Sequence, residues 1–367
     1  MTSPLPGTPL QDGFHMPGDF EPHAGCWMLW PERPDNWRQG AKPAQRAFAK
    51  VAIAISAFEP VTMGASREQY TTARAMLSQQ VRVVELSSND AWMRDCGPTF
   101  VVNAEGEVRG VDWGFNAWGG LRGGLYYPWD QDELVAQKVL EIEHILRYKA
   151  LMVLEGGSIL VDGEGTLITT EECLLNPNRN PNLNRSQIEE YLRQYTGAQK
   201  IIWMTRGVYQ DETSGHIDNL LAFIRPGVVV LTWTDDPNDP QYEISREAYK
   251  RLLKETDARG RRLQIHKVHQ PDPMYISREE SQGIMKVEGT LPRNPGDRLA
   301  ASYVNFYVAN GGVIVPQFNS PYDQPALELL SQLFPERKVV GVQSREILLG
   351  GGNIHCITLG QPQKRIP

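Results

Sequence analysis

The chain is poor in cysteine: Cys26, Cys96, Cys173 and Cys356 are the only four in 367 residues, and none are paired at C-x-x-C spacing. That excludes a disulfide framework and points to a reducing compartment. No apolar run approaches the roughly 20 residues of a membrane span, and Met1 to Pro22 has neither the basic nor the apolar region of a signal peptide. The expectation is a cytoplasmic protein with no membrane partner. Basic residues are in deficit, 37 Lys and Arg against 44 Asp and Glu for a net charge of -7. This argues against a nucleic-acid partner and mildly favours cationic ligands. Low-complexity tracts and charge blocks are absent too, and 41% hydrophobic with 22% charged residues suits an ordered, enzyme-sized body.

The pattern along the chain is repetitive. Cys26 to Trp30 reads as a buried strand, Pro43 to Phe58 as an amphipathic helix, Val61 to Met63 as a strand, Arg67 to Gln79 as a helix and Val81 to Leu86 as a strand. Four units of hairpin, helix and strand follow. The first has strands at Thr99 to Asn103 and Val108 to Trp113, a helix at Glu133 to Ile145 and a strand at Leu151 to Leu154. The second has Ser158 to Val161 and Thr166 to Thr170 around Asp162-Gly163-Glu164-Gly165, then Arg185 to Tyr195 and Lys200 to Met204. The third runs through Asn219 to Ile224, Val228 to Thr232, Glu243 to Thr256 and Leu263 to Lys267; the fourth through Val304 to Val308, Val313 to Pro316, Pro325 to Leu333 and Lys338 to Val342. A fifth unit is split. Ile354 to Thr358 lacks a following helix and Cys26 to Trp30 lacks a preceding strand, so pairing the termini would close a ring. The expected fold class is α/β, a five-bladed pseudosymmetric ββαβ propeller forming one domain over residues 1–367; the alternative is a conventional mixed α/β sheet.

Equivalent edges of such units converge near the ring axis, and each carries reactive residues. Asp95 lies before the first hairpin, Glu155 before the second, His216 and Asp218 before the third, and Cys356 in the split unit behind Gly350-Gly351-Gly352. Ser302 and Asn305 in the fourth rank low. A thiol, an imidazole and clustered carboxylates suit nucleophilic attack on an electron-poor carbon. The carboxylates disfavour a developing oxyanion but match the N–H edges of a planar guanidinium. Asp95 and Asp218 are therefore candidate substrate clamps, Cys356 the candidate nucleophile, His216 the proton carrier and Glu155 its support. Each has a plainer alternative: a small core thiol, a loop histidine, a surface ion pair of Arg94 with Asp95, a solvated turn glutamate. A metal centre lacks ligand spacing, and the glycine turns lack the lysine and helix of a phosphate loop.

Longer motifs carry a resemblance. Trp92-Met93-Arg94-Asp95, Phe115-Asn116-Ala117-Trp118-Gly119-Gly120, Glu155-Gly156-Gly157-Ser158, Gly215-His216-Ile217-Asp218-Asn219, Ser302-Tyr303-Val304-Asn305-Phe306-Tyr307 and Gly351-Gly352-Asn353-Ile354-His355-Cys356-Ile357-Thr358 resemble the agmatine deiminases of the guanidine-modifying pentein superfamily. The likeness spans essentially the whole chain. It implies the fivefold propeller, hydrolysis of agmatine to N-carbamoylputrescine and ammonia for polyamine synthesis, no metal or organic cofactor, and a possible homodimer. It puts the nucleophile on Cys356, the histidine on His216, the guanidinium-binding aspartates on Asp95 and Asp218 and the supporting glutamate on Glu155. Trp92 and Trp118, inside the motifs, could pack on the substrate's alkyl chain or meet its ammonium, with core packing as the alternative. Leu359-Gly360 stands where relatives commonly carry glutamines, and the loop Asp211-Glu212-Thr213-Ser214 is shorter than in some. The alternatives are a hydrolase of arginine, peptidyl-arginine or methylarginine, and a catalytically silent guanidine binder.

Overall fold

The computed structural model describes residues 3–364; residues 1, 2 and 365–367 of the expected domain lie outside them. The strands, in chain order, are β1 His23–Leu29, β2 Val61–Ala65, β3 Val81–Glu85, β4 Thr99–Val102, β5 Val108–Gly114, β6 Arg147–Val153, β7 Ile159–Val161, β8 Thr166–Thr170 and β9 Lys200–Met204. They continue with β10 Leu221–Arg225, β11 Val228–Trp233, β12 Gln264–His269, β13 Met274–Tyr275, β14 Arg298–Leu299, β15 Tyr307–Val308, β16 Gly312–Gln317, β17 Lys338–Gln343 and β18 Leu359–Pro362. They form sheets β18-β1-β2-β3, β4-β5-β6, β7-β8-β9, β10-β11-β12 and β15-β16-β17, with β13-β14 as a separate pair.

Each three-stranded sheet has the same logic. Its first two strands are an antiparallel hairpin, and its third lies parallel to the second after a helical crossover, as in β10-β11-β12 and β15-β16-β17. A parallel neighbour needs such a crossover because the chain must return to the same end of the sheet. The crossover helices are Val135–Ile142, Arg185–Thr196, Gln241–Leu252 and Asp323–Leu333. Local sequence fixes their ends: Asn184 and Gln187 form a reciprocal capping box, and Gly197 stops that helix at φ 73°.

The first sheet is assembled from both ends of the chain. β18 pairs antiparallel with β1, Trp27 opposite Leu359, and β1 reaches parallel β2 through the helix Lys42–Ser56. Pro43 begins that helix where its missing N–H costs nothing, and Phe48, Val51, Ala52 and Ile55 form its buried face. Full burial of such apolar side chains stabilises by about 1.5–3 kcal/mol each.

Two expectations are corrected. Ile354 to Thr358 is not the pairing strand: residues 354–357 form a turn, and the strand begins at Leu359. Thr358 Oγ1 donates to the carbonyl of Ile354 at 2.7 Å, holding the turn. The run is apolar because the turn is buried, and burial alone produces the pattern that also signals a strand. Likewise β15 is two residues rather than Val304 to Val308. The chain leaves the ladder at Asn305, whose carbonyl and side-chain oxygens instead accept from the His355 amide at 3.2 and 2.9 Å.

Candidate active site

The short segment before the first strand of a sheet is where each unit delivers its polar residue. Asp95 sits in the helical turn Met93–Cys96 before β4, Glu155 caps the turn Gly156–Ser158 before β7, and His216 caps Ile217–Asn219, which holds Asp218, before β10. Cys356 occupies the buried turn before β18, and Asn305 the loop before β15. The amide of Arg94 donates to the carbonyl of Cys356 at 3.1 Å, joining the first of these segments to the last.

These residues meet in one buried cluster. Cys356 Sγ lies 3.7 Å from Asp218 Oδ2 and 3.4 Å from Asn305 Nδ2. His216 Nδ1 is 3.9 Å from Asp95 Oδ1, and its Nε2 is 3.6 Å from Glu155 Oε2. Glu155 in turn accepts from Arg179 Nε at 2.6 Å, both side chains being fully buried. Gly157 lets three segments converge: a Cβ there would lie 2.7 Å from His216 Nδ1 and 2.9 Å from both Asp218 Oδ2 and Asp95 Oδ1. Its own amide donates to Asp95 Oδ1 at 2.9 Å. Gly352 does the same beside the thiol, where a Cβ would stand 2.5 Å from the Trp92 ring and 3.1 Å from Cys356 Sγ.

Asp95, Cys356, Trp92, Trp118 and Gly350–Gly352 line a cavity of about 410 Å³ together with Leu125, Tyr126, Thr290, Leu291 and Arg293. Trp118 Nε1 donates to Asp95 Oδ2 at 2.9 Å, so this tryptophan orients a carboxylate as well as forming a wall. Trp92 is held by its Nε1 hydrogen bond to Asp90 and stacks on Trp37 at 5.3 Å.

Electrostatics follow from burial and proximity. Burial, then the Asp218 and Asp95 carboxylates, push the Cys356 thiol well above its ordinary range. Burial raises Asp95 to about 6, with His216 pulling it back. Burial opposes charge on His216, yet Asp95, the Cys173 thiol and Glu155 outweigh it and hold the imidazole well above its usual value. Burial also opposes ionisation of Glu155, but Arg179 and His216 bring it to about 2. This region therefore reads as an imidazolium between acids next to a protonated thiol. A positively charged ligand beside Cys356 reverses the thiol's penalty.

Glu155, Cys173 and His216 place donor atoms within 4.8 Å of one another, the spacing of a metal cluster. The fit is poor: Glu155 Oε1 is already paired with the Arg179 guanidinium, and that fixed cation repels a second one.

All seven residues singled out in the sequence are thus buried: Trp92, Asp95, Trp118 and Cys356 line this cavity, Asp218 lines a second one, and Glu155 and His216 lie behind Asp95; Arg94 and Asp95 are buried rather than a surface pair, Arg94 meeting Asp19 at 3.1 Å. Asn305, ranked low from sequence, touches the thiol. Arg179, Asp19 and His355 were not anticipated. His355 had a signal, its place beside Cys356; Arg179 and Asp19 had none, since their partners are distant in sequence.

The comparisons with known proteins are extensive. The model of the Porphyromonas-type peptidyl-arginine deiminase family matches residues 15–362. A protein of Listeria monocytogenes serovar 1/2a is 63% identical over 96% of this chain and 98% of its own. The agmatine deiminase of Pseudomonas aeruginosa strain LESB58 is 58% identical over 100% of both chains. Among solved structures, the agmatine deiminase of Enterococcus faecalis superposes with a TM-score of 0.97 at 51% identity, covering 99% of this chain and 100% of that one. A C. jejuni agmatine deiminase solved with substrate bound gives 0.82 at 25% identity, with 100% of both chains covered.

Proposed function

This chain belongs to the Porphyromonas-type peptidyl-arginine deiminase family, and from that premise we propose that it is an agmatine deiminase, hydrolysing agmatine to N-carbamoylputrescine and ammonia. The observation that carries the reading is the thiol of Cys356 set 3.7 Å from Asp218, with Asp95 on the same cavity and the buried Asp218 Oδ1 making no hydrogen bond. Two carboxylates around a thiol select a planar cation with N–H groups on its edges.

The reaction proceeds in two halves. Asp95 and Asp218 accept the guanidinium N–H groups, and the substrate's charge favours loss of the Cys356 proton to solvent. The thiolate attacks the guanidinium carbon, forming a C–S bond. His216, as imidazolium, gives its proton to the departing nitrogen, the C–N bond breaks and ammonia leaves. His216, now neutral, takes a proton from water; the hydroxide oxygen bonds to the same carbon, the C–S bond breaks as the hydroxyl proton passes to solvent, and the ureido product departs with the thiolate restored. Glu155, fixed by Arg179, keeps His216 protonated between turnovers. The 3.6 and 3.9 Å separations leave the ring room to change partners.

Specificity is set at the other end. Arg293 lines the cavity, but its Nη1 is spent on Glu212 at 2.5 Å and its Nη2 on Asn36 at 2.8 Å and the Gly350 carbonyl at 2.6 Å. Among the described residues, no free guanidinium remains in the lining of this cavity for the α-carboxylate of arginine. Glu212 lines the adjoining cavity, which shares Leu291, Arg293 and Gly351 with this one; its Oε1 holds Arg293 while its buried Oε2 makes no hydrogen bond, and that free oxygen supports the reading of an ammonium-terminated substrate. Trp92 packs on the alkyl chain.

The five sheets are the blades of a closed ββαβ propeller in this reading, the pairing of β18 with β1 supporting closure, and residues 1–367 act as one catalytic domain. Four free, buried cysteines support a cytoplasmic location. A homodimer is the proposed assembly; exposed Leu121 and Tyr127 supply apolar surface for it, and sedimentation at micromolar concentration tests it. The test of function is ammonia release from agmatine, arginine and an arginine-containing peptide in competition. Agmatine turns over fastest on this reading; faster turnover of arginine or the peptide contradicts it.

A further inference from the structure

The site contains a second carboxylate–histidine–carboxylate–arginine series, of which the reaction above uses only Asp218. His355 Nδ1 lies 2.8 Å from Asp218 Oδ2, its Nε2 lies 3.1 Å from Asp19 Oδ2, and Asp19 Oδ1 accepts from Arg94 Nη1 at 3.1 Å. Asp19, His355 and Asp218 line a cavity of about 340 Å³ separate from the one onto which Cys356 opens. Arg94 Nε also donates to the Thr358 carbonyl at 3.0 Å, so the same guanidinium grips the turn that carries His355 and Cys356.

We propose that His355, backed by Asp19, is a positioning residue that holds Asp218 in its substrate-accepting rotamer and sets a compensating positive charge beside the nucleophile. A neutral imidazole carries one N–H and can satisfy only one of the two carboxylates; bridging both at these distances takes the imidazolium. The ring's other charged neighbour is Arg94, with His23 near Asp19, and the Asn305 amide oxygen fixes the His355 backbone at 2.9 Å. Burial and Arg94 oppose the charge, and the two carboxylates outweigh them. The consequence is a division of labour within one side chain. Asp218 Oδ2 is committed to His355, which leaves Oδ1, without any hydrogen bond, for the guanidinium.

The inference rests on the deiminase reading, and the experiment separates the two. His355→Gln and Asp19→Asn are assayed beside the unaltered protein for agmatine KM, kcat, and the pH dependence of Cys356 alkylation by iodoacetamide, read by mass on the Cys356 peptide. For His355→Gln the expected result is a KM raised about 10- to 100-fold, the range for losing a charged hydrogen bond, with a smaller change in kcat. Its alkylation midpoint moves upward, because the thiolate loses a nearby cation. Asp19→Asn, at the half-buried end of the series, keeps an acceptor but loses the charge, and shifts both quantities in the same direction by less. A purely structural role lowers Tm without moving the alkylation midpoint. If Asp19→Asn and His355→Gln are folded and keep both KM and midpoint at the starting values, the positioning role is wrong. Should His355→Gln fail to fold, Asp19→Asn alone decides, unchanged values overturning the proposal. Failure of the unaltered protein to release ammonia from agmatine overturns the deiminase reading instead.

Discussion

Two series of charged residues flank the reacting thiol, and they differ in tightness. In one, Asp95, His216, Glu155 and Arg179 follow one another, with the histidine 3.9 and 3.6 Å from its acids and neither ring nitrogen in a hydrogen bond. In the other, Asp218, His355, Asp19 and Arg94 repeat the order with the histidine at 2.8 and 3.1 Å. The same residue types thus yield two mechanical characters. A ring held loosely between acids can pass a proton to a leaving group and recover it from water; a ring held tightly on both nitrogens fixes its neighbour and stays charged. The loose series is sealed, with His216, Glu155 and Arg179 at 0% side-chain exposure, whereas the tight one ends at half-buried Asp19.

Variants break this contrast in order of size. Cys356→Ala removes the atom both series serve and lowers kcat by about 10⁴-fold or more, with the folding transition intact, as followed by ammonia release and circular dichroism. His216→Asn removes the proposed proton carrier and lowers kcat by about 10²- to 10⁴-fold, with KM nearly constant. Glu155→Gln acts differently, because it strands the buried Arg179 guanidinium. It costs about 3–5 kcal/mol of stability, measured by urea unfolding, in addition to slowing turnover. Glu212→Gln weakens the proposed ammonium contact and raises KM for agmatine by about 10-fold, with little change in kcat.

The pH dependence sharpens the same comparison. In its proposed role Asp95 must be ionised to accept a guanidinium N–H, and burial holds its carboxyl at about 6 rather than 3.8. The group is neutral below that value and charged above it, so kcat/KM falls on the acid side with an apparent midpoint near 6. Agmatine binding near that pH expels this proton, which calorimetry in buffers of different ionisation heat detects. Stability runs the other way. A folded value above the unfolded one means that the folded state retains a proton the unfolded chain gives up, so Asp95's contribution declines as pH rises from 3.8 through about 6. Asp95→Asn flattens that part of the curve. Trp118→Phe, the mildest change, removes one hydrogen bond from Asp95 and costs about 1 kcal/mol in kcat/KM.

The loose series was largely legible in the sequence. Asp95, Glu155 and His216 stand at equivalent positions of repeated hairpin-helix-strand units, and repetition converts sequence position into spatial convergence. The helices and parallel strands were legible for the same reason: Lys200 to Met204 and Arg185 to Tyr195 carry their periodicities and stop signals in place. Of the tight series only Asp218 was, standing two residues from His216 in the same unit. Asp19 meets His355 across 336 positions and Arg94 across 75, and it lies in an irregular segment before β1 that no periodicity describes. Arg179 reaches Glu155 from another such loop. Cys356 was singled out in the sequence but misplaced in a strand, because a buried turn and a buried strand draw on the same apolar residues.

Cys356 Sγ is the atom proposed to bond to the substrate carbon. Rapid acid quenching of a turnover mixture, followed by peptide mass analysis, tests this directly. The expected result is a transient mass increment of agmatine less ammonia on the peptide carrying Cys356. That increment should be absent in Cys356→Ala and longer-lived in His216→Asn that has been given time to load. Full turnover with no adduct on any peptide, or an adduct on Cys96 or Cys173 instead, contradicts it.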